Sequence, residues 1–428
     1  MNRKNRRRKK RIKLMSWSFV LLVVVLTASF VVNGIGKDDK NKEEQQSVEQ
    51  PEEGHIKEQT GEETSNEVSE PKPEVPDVSV RIRATGDIMF HPSQIEGAYD
   101  ASTNTYDFNN SFKAIKSIIE EADIAIANFE GTTAGNEIYS YQGYPLFNAP
   151  DEALDAIKSA GFDILSTANN HSLDTRKAGI IRTIEQIKLR GMEPIGTYIE
   201  KPETRVLIKE VKGMKFAFLS YTESVNGLES VISPEDLDSM VNIINETKMK
   251  EDIIYAKKQN ADVIIAYLHW GDEYSRIQAQ RQEILADMLF KEGVDIIFGS
   301  HPHVIQPTHT LDYDGKTKFI AYSMGNFLSN QRVETLVPYG MTEHISKYTE
   351  DGIIIDIQVE KKGETGEISI KNINYIPLWV YKGFKENGTA EHIVYPIMDY
   401  IESAELDEDS KARMSRSYAD TMAQMNAE

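Results

Sequence analysis

Side chains able to hold a metal or move a proton recur at one kind of place in this chain, directly after short runs of β-branched and apolar residues. The run Val78–Thr85 leads into TGDIMF with Asp87, and Ile124–Ala127 leads into NFEGT with Asn128 and Glu130. Ile164–Thr167 opens STANNHSLD, which carries Asn169, Asn170, His171 and Asp174. Val263–Leu268 runs into HWGDEY with His269, and Ile296–Phe298 into GSHPHV with His301 and His303. Another run, Lys318–Ser323, ends in YSMGNF with Asn326. One histidine after a strand is more often a hydrogen-bonded loop residue than a ligand. Here four of the nine histidines occupy such positions in a consistent sense, which points to a metal. Imidazole, carboxylate and amide oxygen together suit Mn, Zn or Fe(II), and six or seven converging groups suffice for one or two divalent ions. Pro302 restricts the backbone between His301 and His303 and helps to preset both rings.

Such residues need a scaffold that brings strand ends together. The runs alternate with amphipathic helical patterns, which predicts an α/β fold of layered β-sheets covered by helices, where ligands bind outside the carboxyl ends of the strands. Further strands are expected at Lys215–Ser220 and Gly352–Glu360. Helices are expected at Ser111–Glu121, Asp151–Ser159, Arg176–Leu189, Pro234–Lys258, Arg276–Lys291 and Ala390–Ser403. Asp174 has a second reading as the N-cap of the helix starting near Arg176. Ala404–Glu428 reads as a polar, loosely docked terminal helix. The globular domain is expected over 79–385, with a helical segment over 386–428.

The first 13 residues carry nine Lys or Arg and no acid, and an apolar, membrane-length stretch follows over 14–36. This predicts a single-pass anchor with its basic flank (1–13) cytoplasmic and the domain extracellular. A cleaved signal peptide is the competing reading. Residues 37–78 are Glu, Gln, Lys, Ser, Thr and Pro with almost no large apolar residue, so they are expected to form a disordered acidic linker. No cysteine is present, which excludes disulfides, thiolate metal sites and lipidated cysteine. The formal charge is −20, and −29 once the +9 of the basic flank is set aside. That balance argues against nucleic acid as a partner, and it means that a polyanionic ligand needs a local positive centre.

The ordered set GDIM, NFE, ANNH, HWGDEY, HPHV and YSMGNF, from Gly86 to Phe327, resembles the bacterial CapA/PgsA family of poly-γ-glutamate capsule synthesis, whose domain is similar to calcineurin-like metallophosphoesterases. The resemblance implies that Asp87 and His303 are ligands of one ion, that Asn170, His269 and His301 are ligands of another, and that Glu130 bridges them. It implies His171 as a general acid beside the ions, with Asp174 as its orienting partner. The family plan places a histidine two residues after the first aspartate. Met89 stands there, which leaves the first ion short of a ligand; His91 is either its substitute or a structural residue. Trp270, Glu273, Tyr274 and Asn326 are read as walls of the site. The function implied is that of a membrane-anchored extracytoplasmic component of poly-γ-glutamate synthesis or export. Its partners would be that polymer or another anionic one, and membrane-embedded synthase subunits, since no nucleotide-binding glycine loop occurs in the chain. Two alternatives stand beside it: a metal-dependent hydrolase of phosphoester or amide bonds in the envelope, and a polymer-binding scaffold whose site has decayed.

Overall fold

The computed structural model describes residues 75–425. The predicted flank, membrane span and nearly all of the predicted linker lie outside the described residues. Among the described residues, no helix is long and apolar enough to cross a membrane.

Two sheets form the centre of the fold. In the first, the parallel strands β1 (Val78–Ile88), β4 (Ile124–Phe129), β5 (Ile164–Ser166) and β6 (Glu193–Ile195) lie side by side. The antiparallel strands β14 (Asp351–Lys361), β15 (Ile368–Phe384) and β16 (Ala390–Pro396) continue it beyond β1, and the short β13 (Asn326–Leu328) pairs with the end of β1. In the second sheet, β8 (Met214–Thr222), β9 (Val263–His269), β10 (Ile296–Ser300) and β12 (Lys316–Ala321) are parallel. Antiparallel β7 (Leu207–Val211) and β11 (Thr308–Tyr313) form its edges. A small ribbon, β2 (Tyr99–Asp100) with β3 (Thr105–Tyr106), stands apart.

Period-two alternation decides how these layers stack. Val80, Ile82 and Ala84 of β1 face Phe216 and Phe218 of β8 and Ile265 and Tyr267 of β9, in one apolar core between the sheets. The opposite parity, Ala125, Ala127 and Phe129, packs beneath the helix Glu152–Ser159. Ala217, Leu219, Ile264 and Ala266 pack beneath the helices Glu246–Lys258 and Gln280–Glu292. The order is helix, sheet, sheet, helix. Strands buried on both faces explain why the parallel strands read as near-continuous apolar runs.

Several expectations need correction. Ala390–Pro396 is strand β16 and not the start of a helix, because Ile393 and Tyr395 pack with Trp379 on one face while Val394 is buried on the other. Burial on both faces hides the alternation. The helix expected over Pro234–Lys258 is two, Pro234–Met240 and Glu246–Lys258, capped by the side chains of Ser233 and Asn245. Between them, Val241 and Ile243 bridge to Thr197 and Thr222. The stretch expected over Ser111–Glu121 likewise forms two short helices, Asn109–Phe112 and Lys116–Glu120. Strand β15 was not expected at all. An irregularity near Asn372, whose φ is 43°, interrupts its alternation.

The terminal helix Glu408–Met425 is firmly docked, contrary to expectation. It buries Met414, Ser417, Thr421 and Met425, and Met425 reaches the core between the sheets. Arg413 pairs with Glu350 at 3.1 Å and Arg416 with Asp351 at 3.3 Å. Glu350, only 2% exposed, also accepts from Trp379 Nε1 at 3.0 Å and Arg332 Nη2 at 3.5 Å. Glu350→Ala should therefore lower stability by about 3 kcal/mol, the usual scale for removing one partner of a buried charge pair. Urea unfolding measures it, and an unchanged midpoint would mean that Glu350 does not anchor the helix.

Candidate metal centre

The polar residues converge because the parallel strands of both sheets deliver their carboxyl ends to the same region. Tyr267 Oη, on β9, donates to Thr85 O on β1 at 2.7 Å, and the Ser166 and Ser220 hydroxyls meet at 2.8 Å across the sheets. β1 reaches this point only because residue 86 lacks a side chain: a Cβ on Gly86 would lie 1.8 Å from Gly325 O. The next residue, Asp87, donates its N–H to Gly325 O at 3.0 Å and pairs in register with Asn128 and Asn326.

Asn128 organises the carboxylates. Its Nδ2 donates to Asp87 Oδ1 at 2.8 Å and Glu130 Oε2 at 3.3 Å, while its Oδ1 accepts from Asn169 Nδ2 at 3.1 Å. Asn170 Oδ1, His269 Nε2 and His301 Nδ1 form a close group, with His269 Nε2 lying 2.9 Å from the first and 3.1 Å from the last. On the other side His303 Nδ1 is 3.2 Å from Asp87 Oδ2 and 3.2 Å from Asn326 Oδ1. Glu130 lies between the two groups. Its Oε1 is 3.7 Å from His303 Nε2, 3.8 Å from His269 Nε2 and 4.0 Å from His171 Nε2, and it is buried without a hydrogen-bond partner.

The environment sets the charge states. Burial, reinforced by the Asp87 charge, pushes the Glu130 carboxyl well above its ordinary range. Burial also drives His269 well below its ordinary value, with His301 and His303 adding to the effect, and lowers His301 to about 4. Both imidazoles therefore stay neutral at physiological pH, which leaves a lone pair for coordination. His303 differs. Burial opposes its charge, but the hydrogen bond to Asp87 and that carboxylate's charge outweigh it, and its pKa rises.

The eight residues to which the resemblance gives ligand or proton-transfer roles lie in one constellation: Asp87, Glu130, Asn170, His171, Asp174, His269, His301 and His303. The Asp174 carboxylate takes Nδ1 of His171 at 2.8 Å and accepts from the Phe147 N–H; the N-cap of the helix Arg176–Leu189 is Thr175, so the capping reading of Asp174 fails. His91 sits at the start of the helix Pro92–Ala98, where its Nδ1 meets Gln94 Oε1 at 3.2 Å and the Asn330 N–H at 3.3 Å. It serves that helix. Two contributors escaped the sequence reading. Ser300 holds His269 Nδ1 at 2.9 Å, and Asn226 meets Asn170 Nδ2 at 3.3 Å and His171 Nε2 at 3.5 Å. Ser300 directly precedes His301 in the quoted motif, and Asn226–Gly227 is a turn pair with positive φ at both residues, so each had a local sign in the sequence. A separate cavity of about 470 Å³ along β6 and β7 contains none of these groups.

The donor set fits a divalent cation. Asp87, Glu130 and His303 offer ligand atoms all within 4.8 Å of one another, as do Glu130, His269 and His301, and Glu130, with its orphaned oxygen, belongs to both sets. Residues 81–331, more than half of the chain, match the family described as bacterial capsule synthesis protein PGA_cap. The chain belongs to this family. Its PGA_cap region includes every residue of the constellation. The chain is 30% identical over 256 residues to the capsule biosynthesis protein CapA of Bacillus anthracis, covering 58% of this chain and 59% of that one. It is 26% identical over 299 residues to the PGA biosynthesis protein CapA of Bacillus subtilis (strain 168), covering 68% and 70%. Among solved structures, the alignment with the NAD nucleotidase of Haemophilus influenzae covers 80% of this chain and 63% of that one at 12% identity and a TM-score of 0.42.

If Glu130 is held in place for a cation, Glu130→Gln should have opposite effects with and without metal. Replacing a carboxyl whose ionisation burial and Asp87 oppose should raise the thermal midpoint in chelator, by about 1 kcal/mol of stability. The rise in midpoint that Mn²⁺ or Zn²⁺ gives the parent protein should disappear. Calorimetry of both proteins with and without metal makes the comparison, and an equal metal-induced rise in the variant would exclude Glu130 as a ligand.

Proposed function

We propose that this chain is a metal-dependent, extracytoplasmic component of poly-γ-glutamate synthesis or export, held at the membrane by its N-terminal segment. Membership of the PGA_cap family and the names of the relatives support the polymer. The observation that carries the metal dependence is the Glu130 oxygen, buried without a partner among three imidazoles. In a chain of formal charge −20, a polycarboxylate gains little from the general surface and much from such a centre. A divalent ion bound there supplies a concentrated positive field for an anionic ligand and activates water.

The protein's own groups complete the arrangement. Asp174 fixes the His171 ring through Nδ1, so that Nε2 is turned toward Glu130, 4.0 Å away. That orientation presents Nε2 as the atom from which a protonated ring would deliver its proton to a leaving group. This pair favours a second reading, hydrolysis of a phosphoester or amide bond in the envelope, and it weighs against a decayed scaffold. Polymerisation itself would belong to membrane-embedded synthase subunits.

Comparison of His171→Ala with His301→Ala separates these readings. His171→Ala is expected to keep its metal and to lose activity by about 10²-fold to 10⁴-fold, whereas His301→Ala is expected to lose metal as well. The readouts are metal content, hydrolysis of model phosphodiester and γ-glutamyl compounds, and restoration of polymer production in cells. Full function in His171→Ala with loss in His301→Ala would leave the metal as a docking charge and remove acid catalysis. The double variant His269→Ala/His301→Ala should contain no metal, and undiminished metal in it would refute the centre. For the anchor, sequencing the protein from the membrane fraction should return the original N-terminus; a chain starting near residues 29 to 37 would replace the anchor with a cleaved signal.

A further inference from the structure

We propose that Glu273 is a ligand of the metal centre, closing the side of Asp87 and His303 that residue 89 leaves open. The proposal rests on the metal-dependent reading above and adds to it a donor outside the set implied by the resemblance. A Glu273 carboxylate oxygen and ring nitrogens of His301 and His303 all lie within 4.8 Å of one another. Donors at about 2.1 Å from one ion stand at most about 4.2 Å apart, so a small rotation of this exposed side chain completes the set.

The backbone aims Glu273 at that place. β9 ends at His269, and the turn that follows passes through Gly271 at φ 93° and Tyr274 at φ 65°. The Tyr274 N–H donates to Pro302 O at 2.8 Å, which clamps this turn onto the loop that carries both imidazoles. Tyr274 is held in addition by its ring, 6.0 Å from that of His303, and by Gln331 Nε2, 3.4 Å from its hydroxyl. His301 and His303 themselves adopt positive φ, 99° and 57°. Three non-glycine residues in this region of conformational space, on two loops joined by a hydrogen bond, are held there by their surroundings, a pattern that clusters at ligand sites.

Residue 89 does not fill the gap itself. Met89 is buried, its N–H bonded to Leu328 O at 2.8 Å and its sulfur packed 3.9 Å from Ser329 Oγ. His91 spends its Nδ1 on Gln94 and Asn330. His303 belongs both to the set with Asp87 and Glu130 and to the set with Glu273 and His301, so Glu273 adds a third carboxylate around the ring that the two sets share. That oxygen-rich balance moves the preference of the centre toward Mn²⁺.

The test uses the full chain purified in detergent, with Mn²⁺ as the probe and affinity and stoichiometry read by calorimetry and elemental analysis. Glu273→Gln should bind one ion fewer, or bind Mn²⁺ at least about tenfold more weakly, with an unchanged thermal midpoint in chelator. Adding Met89→His to Glu273→Gln should restore most of the affinity, because it returns a donor to the same side of the ion; a residue that only supports the fold would not be rescued in this way. Binding in Glu273→Gln equal to that of the parent would overturn the proposal and leave the metal-dependent reading intact. Weaker binding accompanied by a lowered midpoint in chelator and no rescue would assign Glu273 to the fold and also overturn it. A parent protein that binds neither Mn²⁺ nor Zn²⁺ would remove the metal-dependent reading first, and this proposal with it.

Discussion

Taking an unpaired carboxylate out of water costs several kcal/mol, and Glu130 shares its enclosure with a second carboxylate, Asp87, under a roof of largely neutral imidazoles. The rest of the architecture makes that arrangement tolerable. Two extended sheets, joined by an apolar core, supply enough burial to hold the unfavourable charges at one end, and the polar ties between the sheets, Tyr267 to Thr85 and Ser166 to Ser220, occur at that same end. Asn128 distributes its amide between the carboxylates and so fixes their separation. The Glu130 oxygen has no hydrogen-bond partner there, and a bound cation would supply one.

Strain and charge work in the same direction here. The HPH loop carries two histidines with left-handed backbone, and Gly86 and Gly325 permit an approach of main chains that any side chain at residue 86 would block. Such features weaken a fold unless neighbouring contacts over-determine them. The clamp from Tyr274 to Pro302 and the bond from Ser300 to His269 are contacts of that kind.

Most of the parallel strands were legible because burial on both faces turns them into apolar runs, and the residues of the site follow within a few positions of the ends of the runs. Asp87, Glu130, His269 and His301 were singled out by that position. Asn170 and His171 were placed in the set in the same way, while their separate roles came from the resemblance. What stayed hidden was decided by tertiary contacts. β16 looks helical until Trp379 and the terminal helix cover one face, and β15 loses its alternation at Asn372. His91 had two readings from sequence, and only the positions of Gln94 and Asn330 choose between them. Asn226 acts from a loop that no spacing rule connects to the strand ends.

Strand β1 joins two distant parts of the domain in a single rod. Val78, where it begins, pairs with Lys361, and Asp87 lies nine residues on; at about 3.3 Å per residue the centre stands about 30 Å from that entry. Along the way eight residue pairs bind β1 to β14, and β4 flanks it on the other side. A pull applied along the chain before Val78 meets those pairs in shear, all loaded together, before any displacement reaches Asp87. The donor geometry is in this way mechanically insulated from a load on the preceding chain.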